Sequence, residues 1–427
     1  MAFRWHPAEQ GRAALHLAEW AVLASLVGVL GGCASALFLV SLDWATRTRE
    51  ARPWLVLLLP LGGFAVGLLY HAWGKRAEGG TNLLLDEIHA PSAGVPARLA
   101  PLVLVGTVAT HLFGGSAGRE GTAVQMGGSL AATLGRLLRL DPGRVRLLLM
   151  AGISAGFGSV FGTPLAGMVF GMEVLALGRM RYYALVPCLV ASLVGDWTCQ
   201  WWGVPHAHYS AGVVPLATPA LVGKVLLASL LFALASVAFV ELTHLCQALA
   251  KRISYPPFRP FIGGVAVLLL WGIVQTDDYL GLSLPLIAAS FDPEGVAGSA
   301  FAWKIVFTAV TLGAGFKGGE VTPLFGVGAA LGSALAHPLG MPAPFLAALG
   351  FAAVFAAAAN TPLACVVMGL ELFGAAMGPW LALACCASYV LSGHRGIYAS
   401  QRIGTPKGGA PDHDGPLSEV QHAQRKK

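Results

Sequence analysis

The sequence predicts an all-α integral membrane protein, an inverted-repeat helical bundle with broken and re-entrant helices. Three observations carry that prediction: an apolar composition, a succession of apolar runs parted by charged turns, and a carboxylate-bearing signature that occurs twice. Of the 427 residues, 56% are hydrophobic and only 11% are charged, against roughly one-quarter charged in a soluble domain. One soluble core could not absorb that much apolar surface.

The runs lie at 20–42, 53–73, 98–113, 183–199, 219–240, 262–274 and 344–359. Several reach the roughly 20 residues that a bilayer-spanning helix needs. The first is too long for a signal-peptide core and many others follow it, so it reads as a retained span. Others are too short or too broken to span alone, and in lipid such helices are tolerated only where they line a buried or watery cavity. Arg252 to Pro260, with Tyr255-Pro256-Pro257, reads as a connection between spans.

Charge placement sets the expected orientation. Both ends are basic (Arg4, Arg12; Arg395, Arg402, Lys407, Arg425, Lys426, Lys427), as are the turns Arg47-Thr48-Arg49, Arg136 to Arg146, Arg179 to Arg181 and Lys251-Arg252. The positive-inside rule then places both termini in the cytoplasm of a multi-pass inner-membrane protein. Topology accounts for the net charge of +6 without nucleic acid. The seven cysteines (Cys33, Cys188, Cys199, Cys246, Cys365, Cys385, Cys386) sit mostly in apolar runs without metal-ligand spacing and read as small core residues. Neither metal nor cofactor is expected.

The duplication supplies the organisation. Thr163-Pro164-Leu165-Ala166, with Val169, Gly171 and Glu173, returns as Thr361-Pro362-Leu363-Ala364, with Val367, Gly369 and Glu371, at an offset of 361 − 163 = 198. Upstream, Gly118-Arg119-Glu120-Gly121-Thr122 with Gly128 matches Gly318-Gly319-Glu320-Val321-Thr322 with Gly328, at 320 − 120 = 200. Gly/Pro-interrupted segments at corresponding positions of two halves point to a transporter site at the repeat interface. The expected layout is a basic lead at 1–18, a first repeat at 19–210, a second at 215–399 and a short polar tail at 400–427. An odd number of spans per half inverts the second repeat, so that the two breaks face each other near the midplane.

The chemistry of such a meeting point favours an anion. Gly115-Ser116-Ala117-Gly118 and the stretch from Gly313 to Gly319 have the glycine content to bend the chain and expose N–H groups at a helix start. A glutamate there is an internal surrogate: ionised, its carboxylate takes the anion's position, and protonated or displaced it leaves. Competition between a proton-carrying Glu and a mobile anion is already a mechanism for exchange.

Gly118-Arg119-Glu120-Gly121, Gln125, the stretch from Ala155-Gly156-Phe157 through Thr163-Pro164-Leu165-Ala166-Gly167 to Glu173, and Tyr398 after Ser392-Gly393-His394-Arg395-Gly396 resemble the CLC family of chloride channels and proton-coupled antiporters. The resemblance covers residues 20–400 and is specific through the order of its motifs. It implies a homodimer with one pore per subunit, an inverted-repeat fold, and Glu120 as the external gating glutamate. Where chloride-handling members have Gly-Ser-Gly-Ile-Pro, this chain has Gly80-Thr81-Asn82-Leu83-Leu84, with Thr81 in the anion-binding serine's place. Where they have Gly-x-Phe-x-Pro, it has Gly319-Glu320-Val321-Thr322-Pro323, and Val174 replaces the internal proton-relay glutamate. These departures resemble the bacterial fluoride/proton antiporter branch. Fluoride is small, costly to dehydrate and a strong acceptor, so it needs close donors. The expected function is therefore proton-coupled export of fluoride from the cytoplasm. Glu120 and Glu320 couple the proton, while Thr81, Asn82, Gly118, Arg119, Gly121, Val321, Thr322 and Tyr398 form the anion path.

Each reading has a rival. Glu120 and Glu320 could instead form buried ion pairs with Arg119 or Lys317. For Glu173 and Glu371, structural helix-end contacts are preferred over transport. Tyr398, without the resemblance, reads as an interfacial anchor. Thr163 and Thr361 read as helix caps. His206 and His208 form a two-histidine pair without a third ligand, more often surface residues than a metal site. Gly114-Gly115-Ser116-Ala117-Gly118 also matches the G-x-S-x-G of a serine hydrolase. That reading needs a histidine base, for which His111, His71 and His244 have no supporting motif, and it leaves the repeat unexplained. Within transport, the alternative is a chloride/proton exchanger or a passive anion channel, with Glu320 and Thr322 against it.

Overall fold

A computed structural model describes residues 7–207, 209–409 and 415–419. The chain is a helical bundle. Its first part runs through α1 (Pro7–Ala51), α2 (Leu59–Leu69), α3 (Gly80–His89), α4 (Leu99–Leu112), α5 (Glu120–Leu137), α6 (Pro142–Phe161), α7 (Pro164–Glu173) and α8 (Leu185–Trp201). The second runs through α9 (Pro219–Ala250), α10 (Phe258–Val274), α11 (Leu284–Ser290), α12 (Ala300–Gly313), α13 (Val321–Leu339), α14 (Ala343–Ala359), α15 (Pro362–Phe373) and α16 (Gly378–Leu391). Among the described residues five helical stretches are long and apolar enough to cross a membrane, and six further apolar helices have only 10–17 residues.

The short helices break where the sequence loses its apolar run to glycine. The interruptions at 113–119 and 314–320 separate α4 from α5 and α12 from α13. On either side the helices pack at backbone distance. A Cβ added to Gly127 on α5 would lie 2.2 Å from the carbonyl oxygen of Gly152 on α6, and one added to Gly328 on α13 would lie 2.0 Å from that of Gly350 on α14. Small residues allow this approach, which van der Waals packing between membrane helices requires. Rings fill the centre: Phe157 of α6 stacks on Phe170 of α7 at 4.3 Å, and Phe325 of α13 on Phe351 of α14 at 3.9 Å. Phe355 of α14 stacks 6.2 Å from Phe157, so the two halves share one core.

Three expectations need correction. The first span is not confined to 20–42 but is the continuous 45-residue α1. Arg47-Thr48-Arg49 is therefore no turn; it lies at the far end of that helix from the N-terminal lead. Arg49 is buried there and donates through Nη1 to the His111 carbonyl at 3.2 Å, so its charge serves packing and carries no topological information. Thr163 and Thr361 occupy the residues before α7 and α15, but neither side chain makes a capping hydrogen bond. The donors they would satisfy are already taken. Leu165 and Ala166 N–H donate to Glu371 at 2.9 and 2.8 Å, and Leu363 and Ala364 N–H donate to Glu173 at 3.1 and 2.8 Å. Each half thus caps a helix of the other with a carboxylate, which also satisfies the N-terminal dipole. Glu173 and Glu371 are held in the helix-end contacts preferred from sequence.

The described part of the tail packs against the bundle. Arg402–Ile403 (β2) pairs in parallel with Ala176–Leu177 (β1). Gln401 donates through Nε2 to the carbonyls of Val174 and Ala359, both at 3.1 Å. Buried Lys407 donates through Nζ to Asn360 Oδ1 at 2.6 Å and Ser392 Oγ at 3.1 Å. Asn360 ends α14 in the left-handed conformation, so the tail closes a helix end whose carbonyls would otherwise lack partners. All seven cysteines are free.

Candidate functional site

The two breaks meet. Gly118 N–H donates to the Gly319 carbonyl at 2.6 Å, and Gly319 N–H returns a bond to the Gly118 carbonyl at 2.8 Å, an antiparallel bridge linking residues 201 apart (319 − 118). Glycine is needed for so close a crossing: a Cβ on Gly118 would lie 2.8 Å from the Gly319 oxygen. Glu120 then starts α5 beside the start of α13.

Glu120 is fully buried, and donors from the opposite break hold its carboxylate. Thr322 N–H donates to Oε2 at 2.9 Å, and the Thr322 hydroxyl donates to Oε1. Arg119 N–H adds a bond to Oε2 at 3.1 Å, while the Arg119 Nε lies 3.6 Å from Oε1. The ion-pair alternative is thus partly realised, but the hydrogen bonds come from backbone and hydroxyl donors. A carboxylate is seated where two short donors converge, the environment a small anion requires.

Two cavities flank this point. The larger one, called the inner cavity after the side on which Lys251 and Arg259 border it, holds about 340 Å³ and is bordered by Thr81, Asn82, Gln125, Lys317, Glu320 and Tyr398. The outer one is about 20 Å³ and is bordered by Arg119, Tyr209, Ile287, Thr322, Phe325 and Phe351. Glu120 borders neither; Thr322, which binds it, faces the outer cavity, and Glu320, two residues earlier, the inner.

The remaining expected residues separate into two groups. Thr81 accepts from Gln125 Nε2 at 3.3 Å, and Asn82 accepts from Ser400 N–H at 3.0 Å; both residues border the inner cavity. Tyr398 is buried with its ring edge toward Phe170. Gly121 packs on Gly319, and Val321 opens α13. The Gly118 N–H cannot bind an anion in this conformation, because it is committed to Gly319. Among the described residues no carboxylate–ammonium contact joins Glu320 to Lys317. His206 lies 3.7 Å from Asp196 Oδ1 through Nε2, and no metal cluster occurs among the described residues; His208 lies outside them.

The support behind the first break joins Ser116 and His111, weighed above only as hydrolase candidates, to a lysine that no motif singled out. His111 is fully buried and its ring nitrogens bond the carbonyls of Thr107 at 2.8 Å and Ala117 at 3.1 Å. Lys304 on α12, also fully buried, donates to Ser116 Oγ at 2.9 Å and to the carbonyls of Gly281 and Tyr279 at 3.1 and 3.3 Å. Ser116 Oγ is 2.8 Å from Thr308 Oγ1. That hydroxyl is therefore a structural anchor, with a lysine where a hydrolase would need a histidine base. Single polar residues inside apolar runs carry no spacing signal, so only the fold reveals them.

Helices broken at a shared, buried carboxylate with a cavity on each side define a multi-pass membrane channel or transporter. The family model described as voltage gated chloride channel matches residues 62–393, and the chain belongs to that family, the CLC proteins. It is 53% identical over 412 residues to the "Chloride/fluoride channel protein" of Pseudomonas syringae pv. tomato, covering 95% of this chain and 90% of the relative. It is 25% identical over 382 residues to the "H(+)/Cl(-) exchange transporter ClcA" of Yersinia pestis, covering 82% and 79%. Among solved structures it matches a CLC-type fluoride/proton antiporter with a TM-score of 0.88 and 35% identity, covering 91% of this chain and 99% of that one. A slow cyanobacterial Cl⁻/H⁺ antiporter shares the fold, with a TM-score of 0.78 and 18% identity, covering 95% and 97%. The chain is thus a membrane transporter or channel of the CLC family, not an enzyme.

Proposed function

We propose that the protein is a proton-coupled antiporter that exports fluoride from the cytoplasm in exchange for protons. The observation that carries this reading is the double donation from Thr322 to Glu120. The position a dehydrated fluoride would take is filled by the protein's own carboxylate, and the donors there are a hydroxyl and an amide at hydrogen-bond distance. Glu120 is the gate and proton carrier: protonated, it loses its claim on these donors and yields them to the anion. Glu320 is a second coupling group on the inner side, facing the cavity with Thr81, Asn82 and Tyr398. The departures from the chloride pattern, the fluoride-naming relative and the 35% identical antiporter structure support the choice of ion.

The same reading takes 19–210 and 215–399 as inverted repeats, both termini as cytoplasmic, and the working unit as a homodimer. The reciprocal caps and the Gly118–Gly319 bridge support the first of these. The test is fluoride-electrode efflux from proteoliposomes with and without a proton gradient. Uphill fluoride movement driven by protons is expected. Fluoride or chloride flux indifferent to the gradient would establish a passive channel instead, and proton-driven chloride flux without fluoride a chloride exchanger.

A further inference from the structure

Lys317 is a charged side chain that this mechanism leaves unused. It stands three residues before Glu320 and borders the inner cavity. Its Nζ lies 4.1 Å from the centroid of the Tyr70 ring. Among the described residues it donates no hydrogen bond and has no carboxylate within 4 Å. Glu78 borders the same cavity without reaching it. The stem is fitted into place: a Cβ on Gly106 of α4 would lie 2.9 Å from Lys317 Cγ. An intramembrane cation whose nearby carboxylate, Glu78, acts on it only from beyond ion-pair distance is costly and marks an ion path, and a ring face steadies an ammonium without using its N–H donors. Lys251 and Arg259 border the same cavity, giving it a basic mouth.

We propose that Lys317 is an anion-recruiting site in the inner cavity, where a small monovalent anion pauses against the ammonium before passing Glu320 to the donors of Thr322. The site rests on the antiporter reading for the identity of the anion, but not for its charge. It makes recruitment one-sided, because among the described residues the one cation bordering the outer cavity is Arg119, which already faces Glu120.

Everted membrane vesicles present the face that carries Lys251 and Arg259, and right-side-out vesicles the opposite one. In everted vesicles Lys317→Met should raise the KM for fluoride about tenfold, the loss of one charged contact, with kcat and proton coupling unchanged. In right-side-out vesicles the KM should stay at its wild-type value. Lys317→Arg should recover most of the affinity, and Gly106→Ala, which displaces the stem, should weaken it in the same direction. An unchanged KM in everted vesicles, or an equal rise on both faces, would overturn the proposal. So would a Lys317→Arg protein as impaired as Lys317→Met, since charge would then be irrelevant. If the wild type carries chloride and no fluoride, the fluoride reading fails on its own, and the same comparison is made with the chloride KM.

Discussion

At the scale of single residues, Glu120 and Thr322 make one unit. Glu120→Gln keeps the shape but cannot cycle a proton through the carboxylate, so proton-driven uphill fluoride movement should vanish while the protein folds and inserts. The proteoliposome assay checks this, and undiminished pumping would remove Glu120 as the carrier. Thr322→Val deletes the hydroxyl and leaves the N–H. A buried hydrogen bond to a charged partner is worth about 1.5–3 kcal/mol, roughly ten- to hundred-fold in affinity. Fluoride transport should weaken by that order, and residual chloride movement much less. Competition flux with both anions reads the ratio. These two residues were legible because the repeat placed a glutamate and a threonine at matched offsets beside glycines. Lys304 and His111, which brace the same loop, were not. Lys304 bonds Ser116, 188 residues away in sequence, which nothing local announces, and His111 bonds carbonyls only four and six residues away, but a lone histidine in an apolar run carries no signal of them.

At the scale of elements, the helices α7 and α15 begin at Thr-Pro and end at a glutamate, and each ends where the other begins. The sequence showed the matched ends and suggested a contact there. It did not show that the contact crosses from one half to the other, because the threonine ahead of each proline offers a nearer cap. The consequence is measurable. Glu173→Ala leaves two N–H donors of α15 unpaired, at about 1–3 kcal/mol, and Glu371→Ala does the same for α7. Each should lower the thermal midpoint of the detergent-solubilised protein while leaving ion selectivity unchanged. A selectivity change without loss of stability would instead give these carboxylates a part in transport. Helix limits were legible where an apolar run is bounded by a residue that breaks it, as for α14, which begins after Pro342 and ends at Asn360. They were underestimated for α1, whose polar ends continue the helix past the apolar stretch.

At the scale of the whole molecule, composition alone indicated a membrane bundle, and the paired breaks indicated where its halves meet. The packing of the described part of the tail was not legible, since its buried residues, Gln401, Ile403, Lys407 and Leu417, are too scattered to form a periodic pattern. Lys407→Met removes the donors to Asn360 and Ser392 and leaves a buried amide oxygen unsatisfied. A lower thermal midpoint and faster proteolysis after residue 399 should follow. In a cell, fluoride enters as the weak acid HF and dissociates in the cytoplasm, so expression in a fluoride-sensitive strain should restore growth in fluoride, most visibly in acidic medium. No protection despite confirmed insertion would favour the chloride reading.

The exchanged caps also bear on whether the chain can be divided. Cut between residues 210 and 215, each piece would carry a helix start with two unpaired N–H groups, a carboxylate with no donors, and one glycine of a two-glycine bridge. Both fragments would be left with defects that only the other can mend. Expressed singly, either should be degraded, whereas co-expression should recover both together and restore fluoride resistance. A first half that accumulated alone in the membrane would mean that the caps and the bridge are incidental to its folding. If the two survive only as a pair, the present chain cannot have grown by simple addition of a finished unit. Each half is then a folding unit only in company, with the other supplying the caps and the second strand of the bridge.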